Sequence, residues 1–346
     1  MIARLNKNEI EMLHDASCRI LEEIGIIIHY EPAARILESH GATLHANGVV
    51  KIPKKLIMQA IETAKPAFDL YDRRGGKLEL GKGRHYHAVG GTMVNVMDYP
   101  SWTRRRATTA DLVELVRLCD TLPLIDIVVP IVLPGNVDVD RQEVMAYAET
   151  LGNTTKHCLV GPSTYRNAKA WIDLARIANV GESLREKPVI SLVVSILPGL
   201  EMDGESVRMM ILAAEEGIPV VIMGAAMAGV QAPITLAGAI TLENASQLAT
   251  LALVQCVFAG SPVLLVCGCQ TMDLRIGNLI SNGPENVIAV SIMAQLAQYY
   301  QIPTYACTAD TDAKIGDVQA GMEKMGGMLG SVLDGVDVTI NASVLN

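Results

Sequence analysis

The feature that most constrains this chain is an alternation of short apolar runs with longer helical patterns from about residue 88 onward. Eight runs are typical of buried strands: "GGTMVNVMD" (90–98), "IDIVVPIV" (125–132), "KHCLVGP" (156–162), "PVISLVVS" (188–195), "PVVIMG" (219–224), "PVLLVC" (262–267), "PTYACT" (303–308) and "VDVTINA" (336–342). Half of the 346 residues are hydrophobic and only 4% are aromatic, which is the composition of parallel strands covered on both faces. The pattern predicts a parallel sheet of the α/β class.

The segments between these runs have helical spacing. Predicted helices cover 109–120, 141–151, 167–178, 206–216, 236–259, 286–300 and 317–333, one after each of the first seven runs. Eight such units most economically close into a TIM (β/α)8 barrel. The alternative is an open doubly wound sheet, which is less favoured because no strand is followed by a G-x-G-x-x-G turn.

Residues 1–87 are predicted to form an N-terminal segment of helices and some β structure that packs on a barrel formed by residues 88–346. Ile10, Leu13 and Ser17 follow the spacing of an amphipathic helix, with Asn6 or Asn8 as its N-cap. The motif "GRHYHAVGG" is interpreted as a surface hairpin ahead of the barrel. Because the eighth run lies so near the last residue, we expect the C-terminal part of a longer protein to be missing.

Composition excludes several kinds of partner and location. No apolar run approaches the roughly 20 residues of a membrane span, and the charged start "MIARLNKNEIEML" is not a signal peptide. A net charge of -9 without a basic stripe argues against nucleic acid. Seven scattered cysteines, an odd number, indicate reduced thiols. These observations predict a cytoplasmic protein with no membrane or nucleic-acid partner.

Barrel active sites lie in the loops that follow the strands. The most polar of these loops is "CTADTDAKIGDVQAG" after the seventh run. Asp310 and Asp312 lie closest to the strand end, so they are our candidate catalytic residues, and Lys314 belongs to the same cluster. The alternative for acids in this loop is capping of the next helix, most of all for Asp317.

Two more loops contribute candidate substrate-binding residues. Gln231 is the main polar group of the small-residue loop after the fifth run, and Asp273 and Arg275 follow the sixth. Asp273 and Arg275 are as well placed to pair with each other as to bind a substrate. The "CGC" motif at the end of the sixth run lacks a second Cys or His pair, so no metal site is predicted. From the residues alone, the reaction stays open.

The sequence resembles the trimethylamine:corrinoid methyltransferase family over nearly its whole length. The resemblance lies in "HDASCRILEEIGIIIHYEPAARILESHGA", "TTADLVELVRLCDTLPLID", "GVQAPITLAGAITLENAS" and "TADTDAKIGDVQAGME". It implies a TIM barrel and the transfer of a methyl group from a methylated amine to the Co(I) form of a corrinoid (cobalamin) carried by a separate protein. That reaction feeds methanogenic or acetogenic one-carbon metabolism.

The family contains two kinds of enzyme. Trimethylamine enzymes carry pyrrolysine, encoded by an in-frame amber codon, whereas relatives without it act on quaternary amines such as glycine betaine. Family members continue well past this point, so we hypothesise that an amber codon follows Asn346. In a trimethylamine enzyme, Asp310 and Asp312 would stabilise the cationic adduct. In a glycine betaine enzyme, Arg275 or Lys314 would bind the carboxylate and Tyr305 the cation.

The resemblance therefore leads to one main hypothesis and two alternatives. The main hypothesis is a trimethylamine methyltransferase whose partners are a small methylated amine and a cognate corrinoid protein. One alternative is a pyrrolysine-independent glycine betaine methyltransferase. The other is an inactive truncated remnant that only binds the corrinoid protein. We expect the protein to be a homo-oligomer.

Overall fold

Eight short parallel strands pair side by side in the computed structural model, which describes residues 4–180, 182–224 and 226–341. In chain order they are β1 (Tyr86–His87), β2 (Ile127–Val128), β3 (His157–Val160), β4 (Ile190–Ser195), β5 (Val220–Met223), β6 (Val263–Val266), β7 (Thr304–Cys307) and β8 (Val338–Ile340). Each strand from β2 to β8 pairs in parallel with the next, and β8 pairs with β1. A bridge from Ala88 to Ile127 joins β1 to β2 and completes the ring. The predicted barrel is confirmed, and the open doubly wound sheet is wrong.

The α-helices of the described residues surround this ring or belong to the N-terminal segment. They are α1 (Lys7–Arg19), α2 (Glu31–Ser39), α3 (Lys54–Thr63), α4 (Thr109–Thr121), α5 (Val139–Asn153), α6 (Tyr165–Ala178), α7 (Gly204–Glu216), α8 (Leu236–Val257), α9 (Pro284–Tyr300) and α10 (Val318–Leu333). One helix follows each of the strands β1 to β7, as predicted. Five of these seven begin at a side chain that accepts a hydrogen bond from a free backbone N–H of the first turn: Thr108, Thr164, Asp203, Thr235 and Asp317.

The first barrel strand lies earlier in the chain than the run at 90–98, so that prediction is wrong. The chain leaves β1 through two glycines, and a Cβ at Gly91 would overlap the side chain of Val129. Only glycine allows this close approach. Beyond it the chain makes a single parallel bridge, from Met93 to Val132, and no further regular strand of the barrel. Asn95–Asp98 instead pairs antiparallel with Thr103–Arg106 in a separate two-stranded sheet.

The predicted surface hairpin at His85 and His87 is also wrong, because both rings lie against β8. The hydroxyl of Thr339 lies 3.2 Å from Nε2 of His85 and 3.0 Å from Nδ1 of His87. The backbone N–H of His87 donates to Asp126 at 2.8 Å. These polar contacts join β1 to its two neighbours at the edge where the barrel closes.

Asp337 makes the corresponding connection between β8 and β7. Its buried carboxylate accepts the N–H of Gly81 at 2.6 Å and both the N–H and the hydroxyl of Thr304 at 2.9 Å. Asp337 precedes β8, so this cluster lies at the amino ends of the strands. Because barrel active sites lie at the opposite end of the strands, we interpret the Asp337 cluster as one that stabilises the fold.

The N-terminal segment packs on the barrel through α1. Its helix begins at Asn6, which forms a reciprocal capping box with Glu9, so the N-cap prediction is confirmed. His14 lies 3.2 Å from the Tyr300 hydroxyl, which also accepts a hydrogen bond from Asn244 at 2.9 Å. This buried network connects α1 to α8 and α9. A domain boundary between residues 87 and 88 stays a prediction.

A small sheet in this segment takes one strand from the barrel. Ile26–Ile28 pairs antiparallel with Val49–Lys51, which in turn pairs with Thr43–Leu44. The opposite edge of Ile26–Ile28 pairs in parallel with Glu201–Met202, which lies in the connection from β4 to α7. The N-terminal sheet is therefore complete only when the barrel connection is in place.

Replacing Asp337 with Ala should lower the free energy of unfolding by about 3 kcal/mol, because the buried N–H and hydroxyl of Thr304 and the partly buried N–H of Gly81 lose their acceptor. Denaturant unfolding followed by circular dichroism measures this change. The matched control is Glu62→Ala on an exposed helical position, which should change stability by less than about 0.5 kcal/mol. Equal effects of the two substitutions would contradict the role of Asp337.

His157 should make stability depend on pH. Its ring is buried against the carbonyl of Tyr71 and the hydroxyl of Ser191, and burial lowers the pKa of His157 from 6.5 to about 4. As pH falls from 6.5 to about 4, His157 binds a proton in the unfolded chain but not in the folded protein. The free energy of unfolding should therefore decrease over this pH range. The free energy of unfolding of His157→Gln should fall less steeply with acidification than that of the wild type. Parallel curves for the two proteins would exclude this effect.

Candidate active site

A small cavity of about 40 Å³ lies at the carboxyl ends of β5, β6 and β7. We call it the mouth cavity. Its walls include Gly224 after β5, Cys267 and Cys269 after β6, and Cys307 and Asp310 at the end of β7. Since barrel enzymes place their chemistry at this end of the strands, the mouth cavity is the candidate active site.

Asp310 is the one predicted catalytic residue that lines the mouth cavity. Burial raises the pKa of its carboxyl above the usual value, while the side chain of Asn341 and the charge of Lys324 act in the opposite direction. The ammonium of Lys324 also donates to the carbonyl of Ala309 at 2.5 Å. The half-buried carboxyl of Asp310 is therefore accessible to a ligand in the cavity, and Lys324 holds the loop that contains it.

Asn282 holds the two loops of the cavity together. It follows a hairpin formed by Gln270–Asp273 and Asn278–Ile280, and it has a left-handed φ of 54°. Its side-chain amide donates to the carbonyl of Thr308 at 2.5 Å and to that of Asp310 at 2.8 Å. The loop after β6 therefore positions the loop after β7.

The structure places Asp312 outside the cavity lining. Both of its carboxylate oxygens lie 3.2 Å from the donating N–H of Ser281, and its own N–H donates to Glu323 at 2.8 Å. Asp312 therefore connects the same two loops from the outer side. A catalytic role for Asp312 stays a prediction, and the observed contacts give it a structural task.

Four predicted substrate-binding residues also lie away from the lining. Asp273 and Arg275 pair with each other through hydrogen bonds of 2.9 and 2.6 Å, and Arg275 lowers the pKa of Asp273 to about 2. The Arg275 side chain is 88% exposed. Gln231 and Lys314 are exposed on their loops. The structure does not bring these four residues to Asp310.

Tyr305 lies inside the barrel rather than at its mouth. Its side chain is buried among Val221, Leu264 and Val338, and burial raises its pKa well above the usual value. Residues two apart on a strand face the same side, so Tyr305 lies one layer below Cys307. It supports the floor of the mouth cavity, and its predicted contact with a cation stays a prediction.

Three thiols lie in the cavity wall, two of them from the CGC motif that was considered above only as a metal site. They belong to Cys267, Cys269 and Cys307, and burial raises the pKa of Cys269 and of Cys307 to about 12 and that of Cys267 further. Such thiols stay protonated near neutral pH and are poor nucleophiles. Within the described ranges, no group of three or more His, Cys, Asp or Glu side chains could hold a metal ion.

Glu243, on α8, is a group that sequence reasoning missed. Its buried carboxylate accepts the N–H of Ala226 at 3.1 Å and the side-chain amide of Gln247 at 2.8 Å, and burial raises its pKa. The signal was present in the sequence, because Glu243 is the only charged residue of Leu236–Val257. A lone charge in an apolar helix is costly unless it has partners.

The closed ring of βα units with a cavity at its carboxyl end defines a (β/α)8-barrel enzyme. A family model described as trimethylamine methyltransferase (MTTB) matches residues 1–345. The chain belongs to the trimethylamine methyltransferase family. The resemblance noted in the sequence is thereby confirmed.

Curated relatives of the chain are methyltransferases named for two substrates. Trimethylamine methyltransferase MttB of Desulfitobacterium hafniense (strain DSM 10664 / DCB-2) is 29% identical over 325 residues, which are 93% of this chain and 66% of that protein. MttB of Methanosarcina barkeri is 28% identical over 98% of this chain and 70% of that protein. The glycine betaine methyltransferase of D. hafniense (strain Y51) is 27% identical over 98% of this chain and 71% of that protein. The chain thus spans between 66% and 71% of the length of these relatives.

A solved structure shows the same fold. The monomethylamine methyltransferase MtmB of Methanosarcina barkeri superimposes with a TM-score of 0.66 over 97% of this chain and 68% of that chain, at 14% sequence identity. At this identity the likeness supports the architecture alone. In the part of the chain that the structure describes, no helix is long and apolar enough to cross a membrane.

Replacing Asn282 with Ala should loosen the loop after β7, because two backbone carbonyls lose their donor and the left-handed backbone is strained without glycine or asparagine. We expect faster hydrogen–deuterium exchange in residues 308–312. Asn282→Gly is the matched variant, since it removes the donor but not the tolerance for positive φ, and it should give a smaller increase. Unchanged exchange in both variants would show that Asn282 does not position this loop.

Proposed function

We propose that the protein transfers a methyl group from a methylated ammonium compound to the Co(I) corrinoid of a separate protein. The observation that carries this proposal is the carboxyl of Asp310 in a small cavity at the carboxyl end of a methyltransferase-family barrel. A carboxylate there balances the positive charge of the donor. The relatives named for trimethylamine and glycine betaine support the same substrate class.

The lining of the mouth cavity favours a donor whose nitrogen is already quaternary. A neutral trimethylamine is a poor methyl donor until its nitrogen gains a fourth bond, and the described lining holds protonated thiols, amides and one acid. A quaternary ammonium needs no such activation. A quaternary methylammonium compound is therefore our first candidate for the methyl donor, because these residues would not have to activate it.

Trimethylamine remains the second candidate, supported by the names of several relatives. It requires an electrophile that activates the nitrogen. The predicted pyrrolysine position follows Asn346, which lies outside the described residues, and it stays a prediction. Arg275, the predicted partner of the glycine betaine carboxylate, is already paired with Asp273. That carboxylate would therefore need a different partner in this protein.

The protonated thiols of the cavity have a protective role in this chemistry. A thiolate beside an activated methyl donor would itself accept the methyl group, since thiolates are strong nucleophiles. Burial keeps Cys269 and Cys307 in the thiol form near neutral pH. The methyl group therefore remains available for the external acceptor.

The loops that follow β6 and β7 offer exposed apolar surface to an incoming acceptor. Leu274 and Ile276 are exposed on the hairpin after β6, and Ile315 and Val318 are exposed after β7. A bound corrinoid would supply the Co(I) nucleophile, and Asp310 would hold the donor in the mouth cavity. Exposed apolar groups beside a cavity are typical of sites that dock a partner.

We also propose a cytoplasmic location and a homo-oligomeric state. All seven cysteines are free in the structure, which fits a reducing compartment. In such a location the reaction would feed methylamine-dependent one-carbon metabolism.

Replacing Asp310 with Asn should lower kcat/KM by about 30-fold, or about 2 kcal/mol, because the cationic donor loses its charged partner. The assay follows methylation of free cob(I)alamin by ultraviolet–visible spectroscopy with tetramethylammonium, glycine betaine and trimethylamine as separate donors. Glu62→Ala, at an exposed position of α3 in the N-terminal segment, is the control and should match the wild type. A fully active Asp310→Asn protein would contradict the site assignment.

The pH profile provides an independent check of the same residue. Burial raises the pKa of Asp310 above 3.8, and only the ionised form attracts a cation. Wild-type kcat/KM should therefore fall as pH decreases through this raised pKa, whereas the profile of Asp310→Asn should stay flat there.

A further inference from the structure

Glu243 stands directly behind the wall of the mouth cavity. Gly224 lines the cavity after β5, and a Cβ at that position would overlap the carboxylate of Glu243. Glycine at 224 therefore makes room for the buried acid. The acid is separated from any ligand in the cavity by the thickness of one backbone segment.

The carboxyl of Glu243 connects two walls of the cavity. On the β5 side it accepts the N–H of Ala226 at 3.1 Å, and the carbonyl of Ala226 accepts a hydrogen bond from the thiol of Cys269 at 3.2 Å. Toward β6 it accepts from Gln247, whose amide also donates to the carbonyl of Val266 at 2.9 Å. One buried side chain thus fixes the spacing between the ends of neighbouring strands.

The network contains one unmet hydrogen-bonding group. The side-chain oxygen of Gln247 is buried and has no hydrogen-bond partner among the described residues. An unpaired buried acceptor is costly, so its presence here calls for an explanation. The same oxygen could accept a hydrogen bond from the side-chain amide of a Glu243→Gln variant.

We propose that Glu243 is a positioning residue for the methyl donor. It holds the β5 wall of the mouth cavity against the β6 wall and so sets the width available to the donor. It does not touch the donor, since Gly224 stands between them. The inference rests on the proposed function, because that function places the donor in this cavity.

The first test measures the wall without relying on catalysis. In Glu243→Ala, Ala226 loses its acceptor and Cys269 loses a fixed partner, so iodoacetamide should alkylate Cys269 at least tenfold faster than in the wild type. Peptide mass spectrometry gives the rate, with Cys256 outside the cavity as the internal reference. Unchanged alkylation of Cys269 would overturn the inference whether or not the protein transfers methyl groups.

The second test measures the donor in the cob(I)alamin assay. Glu243→Ala should raise the KM for the accepted donor at least tenfold and leave kcat within about threefold, because a wider cavity holds the donor loosely. Asp337→Asn is the matched control, because Asp337 is a buried acid at the other end of the barrel. It should lower the melting temperature without changing KM. A Glu243→Ala protein that loses only thermal stability, as Asp337→Asn does, would overturn the proposal.

Two further variants separate positioning from general damage. Gly224→Ala should raise KM as strongly as Glu243→Ala, whereas adding Gly224→Ala to Glu243→Ala should have little further effect because the vacated space accepts the methyl group. Glu243→Gln should recover a KM within about fivefold of the wild type, since the free oxygen of Gln247 can accept from the new amide. Additive losses in the double variant would contradict the shared contact.

The outcome for the proposed function is read separately. If the wild type transferred no methyl group from any of the three donors, the proposed function and the donor role of Glu243 would both be wrong. If the wild type were active and Glu243→Ala had the same KM and the same Cys269 reactivity, only the inference would be wrong.

Discussion

Pairing between β8 and β1 is the constraint on which the rest of the structure depends. It joins strands that are far apart in sequence. It is reinforced by Thr339, which lies between two histidines in the middle of β8, and by Asp337, which precedes β8 and contacts Thr304 of β7. Buried polar groups of this kind are satisfied only in one register. Because closure fixes the register, it also decides which side chains face the interior at the carboxyl end, where the mouth cavity forms.

The mouth cavity combines an acid with neutral sulfur. Asp310 supplies the carboxyl group of the cavity wall, while the thiols of Cys267, Cys269 and Cys307 have raised pKa values and remain protonated beside it. Each property follows from the same physical cause, since burial disfavours the charged form of both groups. Asp310 is accessible from the cavity, and Asn282 holds its loop in place.

The two ends of the barrel thus differ in role. Buried polar groups at the amino ends of the strands stabilise the fold, whereas the candidate active site lies at the carboxyl ends.

The alternation of apolar runs and helices was enough to predict the barrel, since seven of the eight strands overlap the predicted runs. The first strand was missed because the two residues of β1 carry little signal beside the longer pattern that follows. Within the site, distance from a strand end selected Asp310 and Asp312 alike; Asp310 lines the cavity and Asp312 does not, and the catalytic role of each stays a prediction. Arg275 and Tyr305 could not be placed in this way: an Arg near an Asp pairs with it as readily as with a ligand, and the facing of Tyr305 depends on register. Glu243 lies behind the cavity wall on a helix, and reasoning from the loops alone does not consider helix positions.

The strand shared between the N-terminal sheet and the connection after β4 has a consequence for synthesis. Ile26–Ile28 emerges from the ribosome early, yet Glu201–Met202, which completes its edge, is made only after half of the barrel. Until then the nascent chain carries an apolar strand with unpaired N–H and C=O groups, the kind of edge that recruits other chains. The interval between residues 28 and 201 is therefore the period in which a growing chain most needs a chaperone.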